Sequence, residues 1–364
     1  MIRCEPAPGK WSKGEENTRK LLAEGAGECT LQDMGDMSNR AKNNEVKTVG
    51  QRISLLFLIV VSCLSCGCGS VNPHLSRPNL IVASPDGKRL VISDSRNFRI
   101  LVVDRNFRVE REIRVLPEQA VWGLNLGPAG ELLMADTRIT KATFDSDEKR
   151  ANAVAEVFFM GLDGVVKGKL DWLSEKGPVV FPRQVLPLPD GGIAITDLRL
   201  NKVFIVERNG TVRLTIGEYG ANDGQLYNPS DILADTSGKL LVVDSYNHRI
   251  VEFSAAGAYL RTIGRKGTAP GELLFPQNIA RDENGRIYCT ELGNMRVSVF
   301  EADGRFVRHL FMPPASGSNG LNELFGIAFA TAPAELYVAD SLNSCIHVFD
   351  SDGRHRATVD RVLP

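Results

Sequence analysis

Between about residue 78 and residue 359 the chain alternates short apolar runs with polar turns. The stretch from 275 to 310 shows the unit. Phe275-Pro276-Gln277-Asn278-Ile279-Ala280 reads as a strand, Asp282-Glu283-Asn284-Gly285 as a turn, and Arg286-Ile287-Tyr288-Cys289-Thr290 as a second strand. A turn at Glu291 leads to a third strand, Arg296-Val297-Ser298-Val299-Phe300. Ala302-Asp303-Gly304 turns again into a fourth, Arg305-Phe306-Val307-Arg308-His309-Leu310. Short β-rich runs separated by Gly, Asn and Asp predict antiparallel hairpins in series.

The unit recurs, and its marker is the turn between the second and third strands. Val243-Asp244-Ser245-Tyr246-Asn247-His248-Arg249-Ile250 has counterparts beginning at Ser93-Asp94, Thr196-Asp197, Thr290-Glu291 and Ala339-Asp340, with a sixth at Ala135-Asp136-Thr137. The acidic residues return about every 40–50 residues, the size of a propeller blade, apart from one gap of about 60. That gap holds a charged insertion, Thr140 to Ala153, ahead of the strand-like Val154-Ala155-Glu156-Val157-Phe158-Phe159. Six units of four strands predict an all-β, six-bladed β-propeller from about Pro78 to Val359, four antiparallel strands per blade, closed into a ring with few exposed edges.

Within the marker, a short acidic side chain is suited to accept hydrogen bonds from the turn's own N–H groups. Asn tolerates a left-handed backbone, and Arg offers a fork of donors to a carboxylate or a row of carbonyls. A six-fold recurrence cannot be six active sites, so the marker, His248 and Arg249 included, is read as scaffold.

The links between blades also repeat: Ile216-Gly217-Glu218-Tyr219-Gly220 runs through Gly224-Gln225-Leu226 to Pro229, and Ile263-Gly264-Arg265-Lys266-Gly267 through Gly271-Glu272-Leu273 to Pro276. With the Asp-Ser-x-Asn-x-Arg-Ile marker, this pattern resembles the NHL repeat family over most of the chain. The match is clearest in blades four to six and weakest in blade two, where the marker dissolves after Thr137. Blade five has Glu291 for the Asp, and blade six has Cys345 where Arg249 stands in blade four. The ring is distantly similar to peptide-amidating lyases, which hold a metal with histidines from several blades, and to gluconolactonase-like hydrolases, which use a calcium cluster. None of His74, His248, His309, His347 and His355 falls at the corresponding first-strand positions. Asp231 and Asn278 could give two calcium oxygens, but no Glu accompanies them. No catalytic residue, cofactor or metal is therefore expected.

Propellers place ligands over the central channel, where the first strands converge. Aligning blades at the start of each first strand, marked in four of them by Pro78, Pro182, Pro229 and Pro276, isolates positions at which the repeats disagree. One step on are Asn79, Trp122, Arg183, Ser230, Gln277 and Phe325; two steps on are Leu80, Gly123, Gln184, Asp231, Asn278 and Gly326. Arg183, Gln184, Asp231, Gln277 and Asn278 form a polar group flanked by Trp122 and Phe325, a candidate channel-mouth site for a protein, peptide or glycan. The same residues are also suited simply to cap and hydrate a channel.

The composition narrows the picture. The chain has 364 residues and a formal net charge of −1, which argues against a nucleic-acid partner. Of its seven cysteines, Cys63, Cys66 and Cys68 cluster, and only Cys289 and Cys345 lie among the repeats, so no disulfide framework is expected. The cluster follows a short apolar run, Ile53 to Leu64, preceded by Lys42, Lys47 and Arg52: the anatomy of a signal peptide. Val60-Val61-Ser62-Cys63 resembles a bacterial lipoprotein signal with Cys63 as the lipidated residue; Cys66 is the alternative. Residues 1–70 are read as a non-structural extension plus signal, and 71–364 as the propeller. The expectation is an exported binding module in the cell envelope or periplasm, membrane-associated through a lipid anchor. The alternative is a metal-assisted lyase or lactonase working over the channel.

Overall fold

A computed structural model describes residues 72–116, 119–127, 129–138, 154–170, 181–313 and 321–364. The signal segment with Cys63 and Cys66, and the Thr140–Ala153 insertion, lie outside them. The described chain forms six four-stranded antiparallel sheets, each built from four consecutive strands: an all-β, six-bladed propeller. The first blade opens with Pro78–Ala83 and the last closes with His355–Val359. In blade five the strands are Pro276–Arg281, Ile287–Glu291, Arg296–Phe300 and Phe306–Phe311. The first begins a residue later than the sequence pattern predicts because Phe275 has φ 49°, a left-handed geometry that a strand cannot hold.

Burial explains the composition of each strand. Inner strands are covered on both faces by neighbouring blades, so Leu240–Asp244 and Ile287–Glu291 are buried throughout and read as continuous apolar runs. Outer strands such as Val212–Ile216 and His355–Val359 are mostly exposed and carry polar residues. The core lies between blades. Ile205, Ile216, Leu226 and Ala194 of blade three and its outgoing link pack with Ile232, Val242, Val251 and Phe253 of blade four. Leu241, Val243 and Ile250 then meet Ile279, Ile287, Cys289 and Phe300 of blade five. Each such Leu, Ile, Val or Phe side chain contributes roughly 1.5–3 kcal/mol on burial, so the ring is held mainly by its inter-blade seams.

In blades one, three, four, five and six the recurring acid fastens the blade to the chain entering it. Asp244 is fully buried. It accepts the Tyr227 backbone N–H at 2.6 Å, the Asn247 side-chain amide at 2.8 Å and Arg249 Nε at 2.8 Å. Arg249 in turn donates to the carbonyls of Ala221, Asn222 and Gln225 in the incoming link. Blade one repeats the clasp with Asp94, Asn97 and Arg99 receiving Ser76, and blade five with Glu291, Asn294 and Arg296 receiving Leu274. Two details differ from the sequence expectation. The acid chiefly receives an N–H some seventeen residues upstream rather than those of its own turn; blade three, where Asp197 Oδ1 takes Arg199 and Leu200 N–H as well, and blade six, where Asp340 Oδ1 also takes Asn343 N–H, do both. The left-handed residue is the one after the Asn: Phe98, His248, Met295 and Ser344, while only blade three places an Asn there, Asn201. In blade two the second strand runs on to Arg138, pairing with Val154, so no comparable turn forms at Thr137.

The link glycines have a steric reason. Gly217 and Gly264 take φ of 81° and 78°, and a Cβ there would lie 2.6 Å from Leu226 or Leu273 Cδ1. Those leucines bury fully into the seam. The ring closes through its tail: Val362 and Leu363 bond to Pro73 and Phe107 carbonyls, and Leu363 O receives Val109 N–H. Arg105 of blade one also reaches Tyr337 Oη and Glu335 of blade six at 2.7 and 2.6 Å.

Removing Asp244 strands a half-buried Arg, an Asn amide and a linker N–H together. Asp244→Ala is expected to lower unfolding stability by roughly 3–5 kcal/mol, the usual loss on breaking a buried pair. Urea denaturation would show this, whereas Arg305→Ala, which removes an exposed pair with Asp303, leaves the midpoint in place.

Candidate functional site

The first strands converge on a cavity of about 210 Å³, bordered by Gln184, Asp231 and Asn278 among apolar neighbours such as Leu80, Ile279 and Ile327. At two of the two-step positions neighbouring first strands approach closely. A Cβ on Gly123 would sit 2.9 Å from Gln184 Cα, and one on Gly326 2.7 Å from the Ile81 backbone nitrogen. Both glycines therefore admit the adjacent strand.

The structure brings Arg183, Gln184, Asp231 and Asn278 together, all nearly buried. Asp231 is the hub. Gln184 Nε2 donates to its Oδ1 at 2.9 Å and Asn278 Nδ2 to its Oδ2 at 3.0 Å, and the backbone N–H groups of Ile232 and Ile279 complete its shell. One carboxylate thus cross-links blades three, four and five. Burial pushes the Asp231 carboxyl above the usual carboxylate range, against the opposing pull of these four donors. Burial likewise lowers the pKa of Arg183, offset by Asp231. The guanidinium donates to the Trp122 carbonyl at 2.6 Å and lies 5.8 Å from that residue's ring centre. Asn278 Oδ1 has no donor among the described residues, leaving an acceptor in the cavity lining.

The other three candidates are less deeply buried. Trp122 is half-buried against Phe181, with ring centres 5.6 Å apart. The Phe325 carbonyl accepts from Thr290 Oγ1. Gln277 Nε2 reaches Ser245 Oγ of the preceding blade at 3.0 Å. Through Gln277 the channel entrance adjoins a second feature, which the sequence reading did not single out. Tyr219, Tyr227, Tyr246 and Phe275 form a continuous row, with successive ring centres 5.1, 4.9 and 6.0 Å apart and planes near perpendicular. These rings are 65, 37, 47 and 39% exposed. His248 flanks the row 4.5 Å from the Phe275 ring, its Nδ1 accepting the Phe275 N–H at 3.0 Å. Burial, and secondarily the charge of Lys266, holds its pKa below the ordinary histidine value, in keeping with a neutral acceptor.

The row grows from the scaffold. The Tyr227 N–H is held by Asp244, and the Tyr246 N–H donates to the Tyr227 carbonyl at 3.1 Å. A signal was present in the sequence: Tyr246 occupies the variable position of the marker, where other blades carry Arg96, Arg199, Gly293 and Leu342.

Comparison with known proteins agrees with this architecture. A family model described as a 6-bladed beta-propeller matches residues 221–313, which take in blades four and five. No curated protein sequence matches the chain. Among solved structures, it is similar to a chain of the nidogen/laminin complex at 16% identity, covering 79% of this chain and 96% of that one with a TM-score of 0.55. It is also similar to a gluconolactonase from Xanthomonas campestris at 16% identity, covering 76% and 86% with a TM-score of 0.53. A third is a catalytically inactive virginiamycin B lyase from Staphylococcus aureus with quinupristin, at 16% identity, covering 80% and 86% with a TM-score of 0.52. At such identities the likeness is one of fold.

The raised pKa of Asp231 sets a pH dependence. From about pH 4, where an unfolded Asp titrates, up to its raised native value, the folded chain binds the extra proton. Stability therefore falls as pH rises through that window. In thermal melts across this range, Asp231→Asn is expected to lack this decline.

Proposed function

We propose that this chain is an exported, lipid-anchored propeller of NHL type that binds a partner protein through an extended peptide segment laid across its aromatic row. The row of Tyr219, Tyr227, Tyr246 and Phe275 is the observation that carries the reading. Exposed aromatic side chains in contact with one another are a feature of interfaces, where they provide large contact areas at small entropic expense. Edge-to-face packing leaves ridges and slots between rings, suited to a chain with protruding side chains, whereas stacking of a flat sugar favours open ring faces. The half-buried Trp122, Gln277 and Phe325 extend the contact surface toward the channel. Arg183, Gln184, Asp231 and Asn278 form the rigid floor that fixes the rim.

The fold does not choose between binding and catalysis, since similar rings occur both in a laminin complex and in a lyase and a lactonase. The bonding of the channel group favours binding. Every oxygen of Asp231 is already engaged by donors from three blades, so calcium would have to displace Gln184 or Asn278. The anchor rests on the sequence around Cys63, with Cys66 as the alternative.

Tyr227→Ala combined with Tyr246→Ala removes two exposed rings and is expected to leave melting nearly unchanged. Binding to peptides selected by the wild-type chain from a displayed library should weaken by at least about tenfold, as for interface anchors. Undiminished peptide binding, or selection of glycans but not peptides on arrays, would overturn the reading. In cells making the full chain, Cys63→Ser should abolish incorporation of a fatty-acid label. Persistent labelling that is lost only in Cys66→Ser moves the anchor to Cys66.

A further inference from the structure

The sixth blade breaks the clasp in a way that creates a different site. In blades one, four and five the buried acid faces an arginine five residues on, with Arg99, Arg249 and Arg296 at 2.7, 2.8 and 2.8 Å. In blade six that position is Cys345, directly opposite Asp340 in the strand register. Asp340 is as buried as its counterparts, but the guanidinium is gone. Two residues further along the strand, where Ser298 bonds to Glu291 in blade five, blade six has His347.

We propose that Asp340, Cys345 and His347 form a buried binding site for a zinc-like divalent ion. Their donor atoms all lie within 4.8 Å of one another. His347 Nε2 is 3.6 Å from Asp340 Oδ2 and 3.7 Å from Cys345 Sγ. Ligands held at zinc bond lengths in a tetrahedron are separated by about 3.3–3.7 Å, so these spacings match its edges. The surroundings hold the donors in place. His347 Nδ1 is 3.2 Å from Thr358 Oγ1 on the next strand, which turns Nε2 toward the carboxylate and the thiol. Asp340 is oriented by the Asn343 side chain at 2.8 Å and by the backbone N–H groups of Glu323 and Asn343.

The charge balance supports the assignment. A buried carboxylate is costly unless it is paired or coordinates a metal. A dipositive ion with one carboxylate and one thiolate restores neutrality where the arginine has been lost. On binding, the Cys345 thiol releases its proton to solvent, a sulfur–metal bond forms, and nothing is oxidised or reduced. Water supplies the fourth tetrahedral position.

The competing arrangement is a metal-free pair between Asp340 and a protonated His347, and metal content separates the two. The full chain expressed in zinc-supplemented cells, purified without chelator, is expected to carry close to an equivalent of zinc. Cobalt replacement should give thiolate-to-cobalt charge-transfer absorption. Cys345→Ser should lose both. Cys345→Arg rebuilds the pair of blades four and five, so it should fold without metal and melt at a temperature insensitive to chelator, while chelator lowers the melting temperature of the wild type. A wild-type chain without zinc or cobalt absorption, or metal retained undiminished in Cys345→Ser, would overturn the site.

Discussion

The constraint on which this molecule depends is the burial of one carboxylate at the end of the second strand in five of the six blades. A buried carboxylate must be surrounded by donors, and the chain provides them from separate places: a backbone N–H in the entering link, an Asn three residues on and an Arg five residues on. Satisfying the acid therefore fixes the path of the link. The link fixes where the next first strand begins, and the first strands together form the channel. Apolar seams supply most of the favourable energy, but they are broad and tolerant. Where it forms, the clasp gives the blade a single register.

The candidate sites lie where the blades stop being equivalent. The clasp holds the backbone of Tyr227 and, through it, that of Tyr246, so a structural hydrogen-bond network carries an exposed aromatic surface. At the two-step positions, Gly123 and Gly326 admit close strand approach, while Gln184, Asp231 and Asn278 tie three blades together. In blade six, losing the arginine leaves the same carboxylate beside a thiol and an imidazole. One acidic position thus serves as a scaffold in most blades and offers ligand chemistry in another because of its neighbours.

Much of the fold was legible because the repeat is visible in the residues themselves. Continuous apolar second strands, polar outer strands and the Asp-x-x-Asn-x-Arg spacing follow from burial on two faces, burial on one and a buried charge. The strand edges in blade five were readable to within about a residue, the usual blur of element ends; left-handed Phe275 marks that limit, since nothing about a phenylalanine announces φ of 49°. The channel group was legible as residue positions, because Arg183, Gln184, Asp231 and Asn278 stand at aligned places. Their mutual bonding was not, because it joins residues about 47 positions apart across blades.

By itself the sequence determined the blade number, the strand order and the acidic turn that marks the blades. These are local or periodic properties, set by side-chain volume, alternation and turn chemistry over a few residues. Tertiary structure alone decided which polar side chains bond to one another and which face solvent. Asp231 is a sealed hub, the tyrosines beside Asp244 are an open row, and His347 turns toward Cys345 and Asp340. Those outcomes depend on the closing of the ring, which brings distant segments within a few ångströms and leaves a side chain either a partner or water.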